Sequence, residues 1–373
     1  MDPITRTSTS APAATADDPA EAVVVGEVEP AQTPDEQPDE PSAEAPQDPP
    51  PTEAPAPIAE APALRVDEHT LGAAFDDAGY EPPEGSFVMV GRELEGSATH
   101  FEWFSLGHSG LTPSHEHFWP ASTIKVMTAI AALETLHEYG LTGAAILTFE
   151  DLDGRYHGPA KEIIRLAIQV SNNPAYNRTV LIAGMRNINE TVFPRWGLHD
   201  TIMQRRYTRP EGVTDLALRT SPAIRYREGG RRGTIPERIA PHLYGRCPAA
   251  GNCTSLYELL SVMRRVTLHH ELPAAERFNL SDEDVTVIHD ALRESYSRIA
   301  PGAEAALGPV AVLNKTGTVP GDDALDHGLI TDEVTGRRYL LAVSTRWHRE
   351  RTARIGELTR QTLLAISGIS AAR

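Results

Sequence analysis

Strand-like segments stand near both ends of the part of this chain that has a globular composition, and helical patterns fill the space between them. The early segments lie at residues 85–94 and 100–107, and the late ones at 309–318, 326–333 and 337–347. This order predicts an α+β fold. The first and last strands would share one antiparallel sheet, which helices flank and an inserted helical region interrupts.

Apolar residues recur at helical spacing in the middle of the chain and at its end. The predicted helices cover residues 122–140, 158–170, 254–268, 281–295 and 350–367. Another helix is expected after "SNNPAYN", with Pro174 in its first turn. Thr254 or Ser255 would cap the helix at 254–268, with Glu258 at capping-box spacing. Residues 205–245 are rich in Arg, Gly and Pro and weakly periodic, so we expect a long irregular connection there.

The first 64 residues differ in composition from the rest of the chain. They hold 14 of the 30 prolines and 14 acidic residues, against a single basic residue, Arg6, and no aromatic residue. Such a segment cannot bury enough apolar surface to offset its loss of conformational entropy. We therefore expect a disordered, extended tail at residues 1–64 and a folded domain at residues 65–373.

Charge and hydropathy restrict the partners. A formal net charge of −18 argues against binding to nucleic acid. No apolar run approaches the ~18 residues of a membrane span, and the N-terminal residues lack the apolar core of a secretory signal. The two cysteines, Cys247 and Cys253, would either close a small disulfide ring or remain free thiols. Too few further ligands lie nearby for a zinc site, so no metal is expected.

Lysine is rare in this chain, and its positions are informative. Only Lys125, Lys161 and Lys315 occur among 34 basic residues. Unlike arginine, a lysine can lose its proton when it is desolvated or lies beside another cation. Ser122 and Lys125 are three residues apart, so they would share one face of a helix. A neutral Lys125 amine could then accept the proton of the Ser122 hydroxyl, although a capping serine and a surface lysine would give the same spacing.

Two further motifs follow in order: "SNN" at residues 171–173 and "KTG" at residues 315–317. S-x-x-K, S-x-N and K-T-G in this order are the signature of penicillin-recognising serine acyl-enzymes. The flanking stretches "FWPASTIKVMTA", "SNNPAYN" and "LNKTGTVPGDDALDHGLI" resemble those of class A β-lactamases. The resemblance covers roughly residues 75–370 and implies a β-lactamase/D,D-peptidase-like antiparallel sheet flanked by helices.

The resemblance also implies roles for the matching residues. Ser122 would be the acylated nucleophile, Lys125 its proton acceptor, and Ser171 the group that passes a proton to the leaving atom. Asn173 would hold the amide side chain of the substrate. Lys315 would hold the substrate carboxylate and favour a neutral Lys125, and Thr316 and Thr318 would offer hydroxyl contacts to that carboxylate. The backbone N–H groups of Ser122 and Thr318 would form the oxyanion hole, and Gly317 would be glycine because the substrate lies close against its strand.

Two positions depart from the family pattern. Asn172 stands where the β-lactamases usually have Asp. The glutamate that activates water for deacylation is also missing, because Tyr207 falls near its expected position. Glu211, four residues later, is the one candidate for a replacement base, and it would equally suit a solvated loop. The resemblance therefore predicts acylation without predicting efficient hydrolysis of β-lactams.

Together these features predict a serine hydrolase that forms an acyl-enzyme with an amide or ester. Its substrate would carry a carboxylate, as β-lactams and D-Ala-D-Ala-like peptides do, and no cofactor is expected. The alternatives are a D,D-peptidase or esterase without efficient β-lactamase activity, and a non-catalytic binding protein that kept the fold. The Pro-rich tail suits a secreted or cell-envelope protein associated with the cell wall, and a cytoplasmic location is left open.

Overall fold

The computed structural model describes most of the chain from Val66 onward. The described residues are 66–367, with gaps at 96, 98, 108–118, 208–211, 243, 245–246, 248–250, 319–322 and 347–350. The predicted tail at residues 1–64 lies outside this part, and so does Glu211.

Strands and helices are numbered here in chain order. The strands are β1 Val66–Asp67, β2 Phe87–Glu93, β3 Phe101–Gly107, β4 Ile146–Asp151, β5 Gly154–Pro159, β6 Thr220–Ser221, β7 Ile224–Glu228, β8 Arg231–Ile235, β9 Arg238–Ile239, β10 Val310–Thr318, β11 Asp323–Asp332 and β12 Arg338–Arg346. The α-helices are α1 Thr70–Asp77, α2 Lys125–Glu138, α3 Ala160–Ile168, α4 Asn173–Ala183, α5 Met185–Asn187, α6 Phe193–Arg195, α7 Asp215–Arg219, α8 Leu256–Thr267, α9 Asp282–Arg293, α10 Ala300–Leu307 and α11 Arg351–Ser367.

The main sheet joins the two ends of the described chain. Its strand order is β1-β3-β2-β12-β11-β10, and all neighbours are antiparallel except β1 and β3. The early hairpin β2–β3 meets the late strands where Val90 pairs with Leu341. Helices cover both faces, which confirms the predicted α+β fold with helices inserted between the halves of one sheet.

Apolar side chains form a separate core on each face of the main sheet. One core surrounds α2, whose residues Lys125–Leu136 are all buried, and it also includes apolar residues of α3, α4 and α8. The other core packs Leu71 and Phe75 of α1 against Ile355 and Leu358 of α11. A helix buried on all sides, as α2 is, lies in the interior of its domain. Its first residue, Lys125, is therefore placed deep in the protein.

A second sheet corrects the prediction for residues 205–245. The expected irregular connection contains the hairpin β7–β8, which joins β4 and β5 in a sheet of order β5-β4-β7-β8. Gly229 and Gly230 both have positive φ and form the two-residue turn of this hairpin. The prediction was wrong because the apolar pattern of this hairpin is sparse. Ile224 and Ile235 are the fully buried apolar residues of the hairpin, and arginines occupy its exposed positions.

Side-chain caps begin three of the helices, and Ser255 is one of the two caps predicted for α8. The side chains of Asn172, Ser255 and Ser281 accept hydrogen bonds from backbone N–H groups in the first turns of α4, α8 and α9. The capping box is only half formed, because the Glu258 carboxylate accepts from the backbone N–H groups of His199 and Asp200, at 2.6 and 2.9 Å.

Cys247 and Cys253 form a disulfide, with their Cα atoms 5.4 Å apart. This resolves the choice between a ring and free thiols. Cys253 also exchanges two backbone hydrogen bonds with Ile202, at 2.8 and 3.1 Å. Within the described ranges, no helix combines the length and the apolar character needed to cross a membrane.

Candidate active site

The turn that carries Ser122 is tightly constrained. Residues Ala121–Ile124 form one turn of 3₁₀ helix directly before α2. Ala121 has a φ of 46°, a conformation that costs a non-glycine residue about 1–3 kcal/mol and that tends to occur at functional sites. Ser122 is half-buried and lines an open cavity.

Lys125 follows one turn later and has no solvent-exposed surface. Its Nζ donates to the backbone carbonyl of Ser171, to the Ser171 hydroxyl at 3.2 Å and to Asn173 Oδ1 at 2.8 Å. Burial lowers the pKa of Lys125 well below its usual value, and the charge of Lys315 lowers it further. Both effects favour the neutral form of this amine over the charged form.

The S-x-N segment lies between α3 and α4 and faces Lys125. Ser171 has a φ of 59°, which turns the chain so that its carbonyl and its hydroxyl both meet the Lys125 amine. Asn172 begins α4 through a 2.8 Å hydrogen bond from the backbone N–H of Ala175. Asn173 is exposed and lines the same cavity as Ser122.

Lys315 lies on β10 and is fully buried. Burial and the nearby Arg298 charge lower its pKa to about 7, against the opposite effect of Asp326. Its Nζ donates to the Thr316 carbonyl at 3.0 Å. Lys315 is not among the residues that line the cavity. It acts on the site through its charge, which lowers the pKa of Lys125.

Gly317 allows β10 to pack closely against the Ser122 turn. A Cβ atom at this position would lie 3.0 Å from the Pro120 carbonyl oxygen and 3.1 Å from both Ala121 Cβ and Thr123 Cγ2. The need for glycine here comes from this contact between strand and turn. The sequence interpretation had assigned it to space for substrate.

Arg298 is a site residue that the sequence analysis missed. Its guanidinium donates to the Gly317 carbonyl at 2.9 Å and to the Thr318 hydroxyl at 2.8 Å. The buried Asp326 carboxylate holds Arg298 in place by accepting its backbone N–H at 2.6 Å. No local motif marks Arg298, because its link to the K-T-G strand exists only in the folded chain.

One cavity of about 250 Å³ brings parts of all three motifs together. Its lining includes Ser122 from S-x-x-K, Asn173 from S-x-N and Thr318 at the end of the K-T-G strand. Aromatic and basic side chains complete the wall, and they are Trp119, Arg205 and Tyr207. Thr316 is half-buried on the same strand as Thr318.

Tyr207 stands beside the nucleophile turn, at the position where the sequence analysis looked for a carboxylate. Its hydroxyl donates to the Ala121 carbonyl, and its ring stacks on Tyr176 at 4.4 Å. Burial raises the pKa of Tyr207 to about 12. A phenol in this state does not act as a base near neutral pH. Glu211, the candidate replacement base, lies outside the described residues.

This arrangement can support nucleophilic acyl transfer. Ser122 lines a cavity, and a buried amine with a lowered pKa belongs to the lysine one helical turn later. The described residues contain no group of three or more His, Cys, Asp or Glu side chains placed to hold a metal ion.

Comparisons with known proteins agree with this geometry. The model of the beta-lactamase enzyme family matches residues 112–366. A mutant of PBP-A, solved as an acyl-enzyme complex with penicillin G, is 17% identical with a TM-score of 0.55, and the match covers 83% of this chain and 100% of that one. A class A beta-lactamase from Bacteroides cellulosilyticus DSM 14838 is 16% identical with a TM-score of 0.52, covering 82% and 100%. The comparison with curated proteins gives no match.

The structural likenesses at these identities establish the fold. The family model establishes more, because it spans well over half of the chain and includes all three motifs. The chain therefore belongs to the beta-lactamase enzyme family and is a serine hydrolase.

Proposed function

We propose that Ser122 is acylated by β-lactams or D-Ala-D-Ala-like substrates and that the acyl-enzyme is hydrolysed slowly. The single observation that carries the proposal is the state of Lys125. Its amine is fully buried, has a strongly lowered pKa and is held by Ser171 and by Asn173, which lines the same cavity as Ser122. A neutral amine at this place serves to activate a hydroxyl, whereas a structural ion pair would need a carboxylate partner.

The acylation step follows from these positions. Lys125 accepts the Ser122 proton while the Ser122 oxygen bonds to the substrate carbonyl carbon. The backbone N–H groups of Ser122 and Thr318 would receive the resulting oxyanion. When the C–N or C–O bond breaks, Ser171 delivers a proton to the leaving atom and regains one from Lys125, which donates to the Ser171 hydroxyl. The enzyme is then left as an ester at Ser122 with a neutral Lys125.

Positive charge near the K-T-G strand supports a substrate with a carboxylate. Lys315 is buried close enough to Lys125 to lower the pKa of that amine. Arg298 donates to the Thr318 hydroxyl, which orients that hydroxyl at the cavity wall. Thr316 and Thr318 would offer hydroxyl contacts to the carboxylate.

The rate of deacylation distinguishes a β-lactamase from a D,D-peptidase or esterase. Tyr207 occupies the wall beside Ser122, and its raised pKa removes it as a base for water. The described residues that line the cavity include no carboxylate, and without a base for water an acyl group would leave Ser122 slowly or to an acceptor other than water. This observation favours a D,D-peptidase or esterase with weak β-lactamase activity.

A small substrate panel tests the proposal. The panel contains a chromogenic cephalosporin, a D-Ala-D-Ala peptide and a nitrophenyl ester, each with wild type and Ser122→Ala. We expect Ser122-dependent turnover of the peptide or ester and a slow reaction, following an initial burst, with the cephalosporin. Rapid steady turnover of the cephalosporin would contradict slow deacylation. Equal behaviour of the two proteins on every substrate would favour the non-catalytic binding protein.

We also propose that the protein works in an oxidising compartment, as a secreted or cell-envelope enzyme. The Cys247–Cys253 disulfide supports this, because such bonds persist outside the reducing cytosol. Association with the cell wall would follow from a D-Ala-D-Ala-like substrate. Full alkylation of both thiols without prior reduction, in protein taken from its native host, would contradict the proposal.

A further inference from the structure

Asn252 lies beneath the cavity wall and is almost completely buried, with 1% of its surface exposed. Its Oδ1 accepts from the backbone N–H groups of Gln204 and Arg205, at 2.9 and 2.8 Å. The two hydrogens on its Nδ2 are shared among the Tyr176 hydroxyl at 2.9 Å, the Arg205 carbonyl at 3.1 Å and the Tyr207 hydroxyl at 3.4 Å. The side-chain amide of Asn252 therefore uses all of its hydrogen-bonding groups on Gln204, Arg205 and the tyrosine pair Tyr176 and Tyr207.

The segment that Asn252 holds forms part of the cavity wall beside the nucleophile turn. Arg205 and Tyr207 both line the cavity, and the Arg205 guanidinium lies 5.4 Å from the centre of the Trp119 ring. Tyr207 also donates to the carbonyl of Ala121, the residue before Ser122. A shift of this segment would move the wall and release a contact that steadies the Ser122 turn.

The residues on either side of Asn252 are held by covalent and hydrogen bonds. Cys253 forms the disulfide with Cys247 and exchanges paired backbone hydrogen bonds with Ile202, at the start of the wall segment. The Gln204 side chain adds a 2.6 Å hydrogen bond to the Gly251 carbonyl. Asn252 does not line the cavity, so an effect on the reaction must pass through the wall.

We propose that Asn252, next to the disulfide-bonded Cys253, is a positioning residue that holds Arg205 in the cavity wall and Tyr207 against the Ser122 turn for acylation. The kinetic part of this proposal rests on the proposed function, whereas the structural part does not. A buried amide with these five partners has no apolar substitute, because its loss leaves several polar groups unpaired at once.

The test uses Asn252→Ala with Asn189→Ala as its matched control. Asn189 is also an asparagine that clamps this chain segment, through the backbone N–H of Met203 at 2.9 Å and its carbonyl at 2.6 Å, and it does not line the cavity. Two properties are measured: the rate of Ser122 acylation by a fluorescent penicillin, and hydrogen exchange at the backbone amides of residues 203–207.

We expect Asn252→Ala to speed exchange at Gln204 and Arg205 and to slow acylation at least about tenfold, with most of the loss in the bond-forming step. Asn189→Ala should speed exchange at Met203 and leave acylation within about twofold of wild type. Asn252→Asp keeps the acceptor for Gln204 and Arg205, so it should retain protection of those two amides while acylation still falls. The double variant Cys247→Ser/Cys253→Ser should loosen the whole segment and slow acylation as well.

Other outcomes overturn the proposal. If Asn252→Ala acylates like wild type, or if Asn189→Ala slows acylation equally, Asn252 has a general structural role. Unchanged exchange at Gln204 and Arg205 in Asn252→Ala would refute the clamp even if wild type proved not to react with penicillin. Failure of wild type to become acylated would instead count against the proposed function.

Discussion

Lysine at position 125 is explained by where its amine lies. The side chain has no exposed surface, and Nζ donates to oxygen atoms of Ser171 and Asn173. Burial penalises the charged form, and the buried Lys315 adds repulsion, so both effects act in the same direction on the pKa of Lys125. Arginine would keep its charge in this environment and could not accept a proton.

Replacing Lys125 with arginine should therefore slow acylation strongly, whereas the same replacement at an exposed lysine should have no effect. We expect Lys125→Arg to slow labelling of Ser122 by a fluorescent penicillin by at least about 10³-fold, because general-base assistance and a neutral site are lost together. Lys161, the exposed lysine of α3, provides the control. Labelling of Lys161→Arg should match wild type, and rapid labelling of Lys125→Arg would show that position 125 does not accept the proton.

The pH dependence of acylation should report both buried lysines. The neutral form of Lys125 becomes populated as pH rises through its lowered pKa, so the rate should increase on the acid side. The pKa of Lys315 is lowered to about 7, so its positive charge is lost as pH rises above that value. Rates with a carboxylate-bearing penicillin should then fall on the alkaline side, while rates with an uncharged ester should fall less. Identical alkaline limbs for both substrates would contradict a role for Lys315 in attracting the carboxylate.

Tyr207 offers a gain-of-function prediction. Because this side chain lines the cavity beside Ser122, Tyr207→Glu would place a carboxylate where it could act as a base for water. We expect the acyl group to leave Ser122 at least about tenfold faster, as judged by the lifetime of the labelled protein. Tyr207→Gln, which matches the glutamate in size and lacks its charge, should not shorten that lifetime. An equal effect of both variants would point to loosening of the wall.

At the scale of elements, the decisive contact joins β10 to the 3₁₀ turn that carries Ser122. Backbone and small side chains of Pro120, Ala121 and Thr123 approach Gly317 so closely that a Cβ atom has no room. This contact sets how the K-T-G strand lies relative to the nucleophile.

Gly317→Ala should force the strand and the turn apart. Overpacking of this kind costs about 1–3 kcal/mol of folding free energy, and the shifted turn should slow acylation at least about tenfold. Gly72→Ala in α1 is the control, because its new Cβ would meet only Leu106 Cδ1 at 4.0 Å. The measurements are the thermal unfolding temperature and the acylation rate of both variants. Unimpaired acylation of Gly317→Ala would show that this contact does not position the Ser122 turn for the reaction.

Elements with strong local patterns could be predicted from the sequence. The strands β2, β3, β10, β11 and β12 and the helices α2, α3, α8, α9 and α11 all lie within a few residues of the expected ranges. The hairpin β7–β8 of the second sheet was missed because its strands are short and arginine-rich, although the Gly229–Gly230 pair was a hairpin signal in the sequence.

At the scale of the whole molecule, the site exists because the main sheet closes the chain on itself. β10 lies at the edge of that sheet and reaches back to the turn before α2, so residues near 122 and 317 become neighbours. Of the residues named from the three motifs, Ser122, Asn173 and Thr318 line the cavity. The wall of Arg205 and Tyr207, the support from Asn252 and the role of Arg298 could not be predicted, because each depends on contacts between segments that carry no motif.

The most direct measurement is the mass of the intact protein during incubation with penicillin G, followed by peptide mapping. We predict an added mass equal to one penicillin, located on Ser122, which persists for many minutes and is absent from Ser122→Ala. An added mass on another residue, or none under any condition while Ser122→Ala behaves as wild type, would contradict the claim that a neutral Lys125 makes Ser122 the nucleophile.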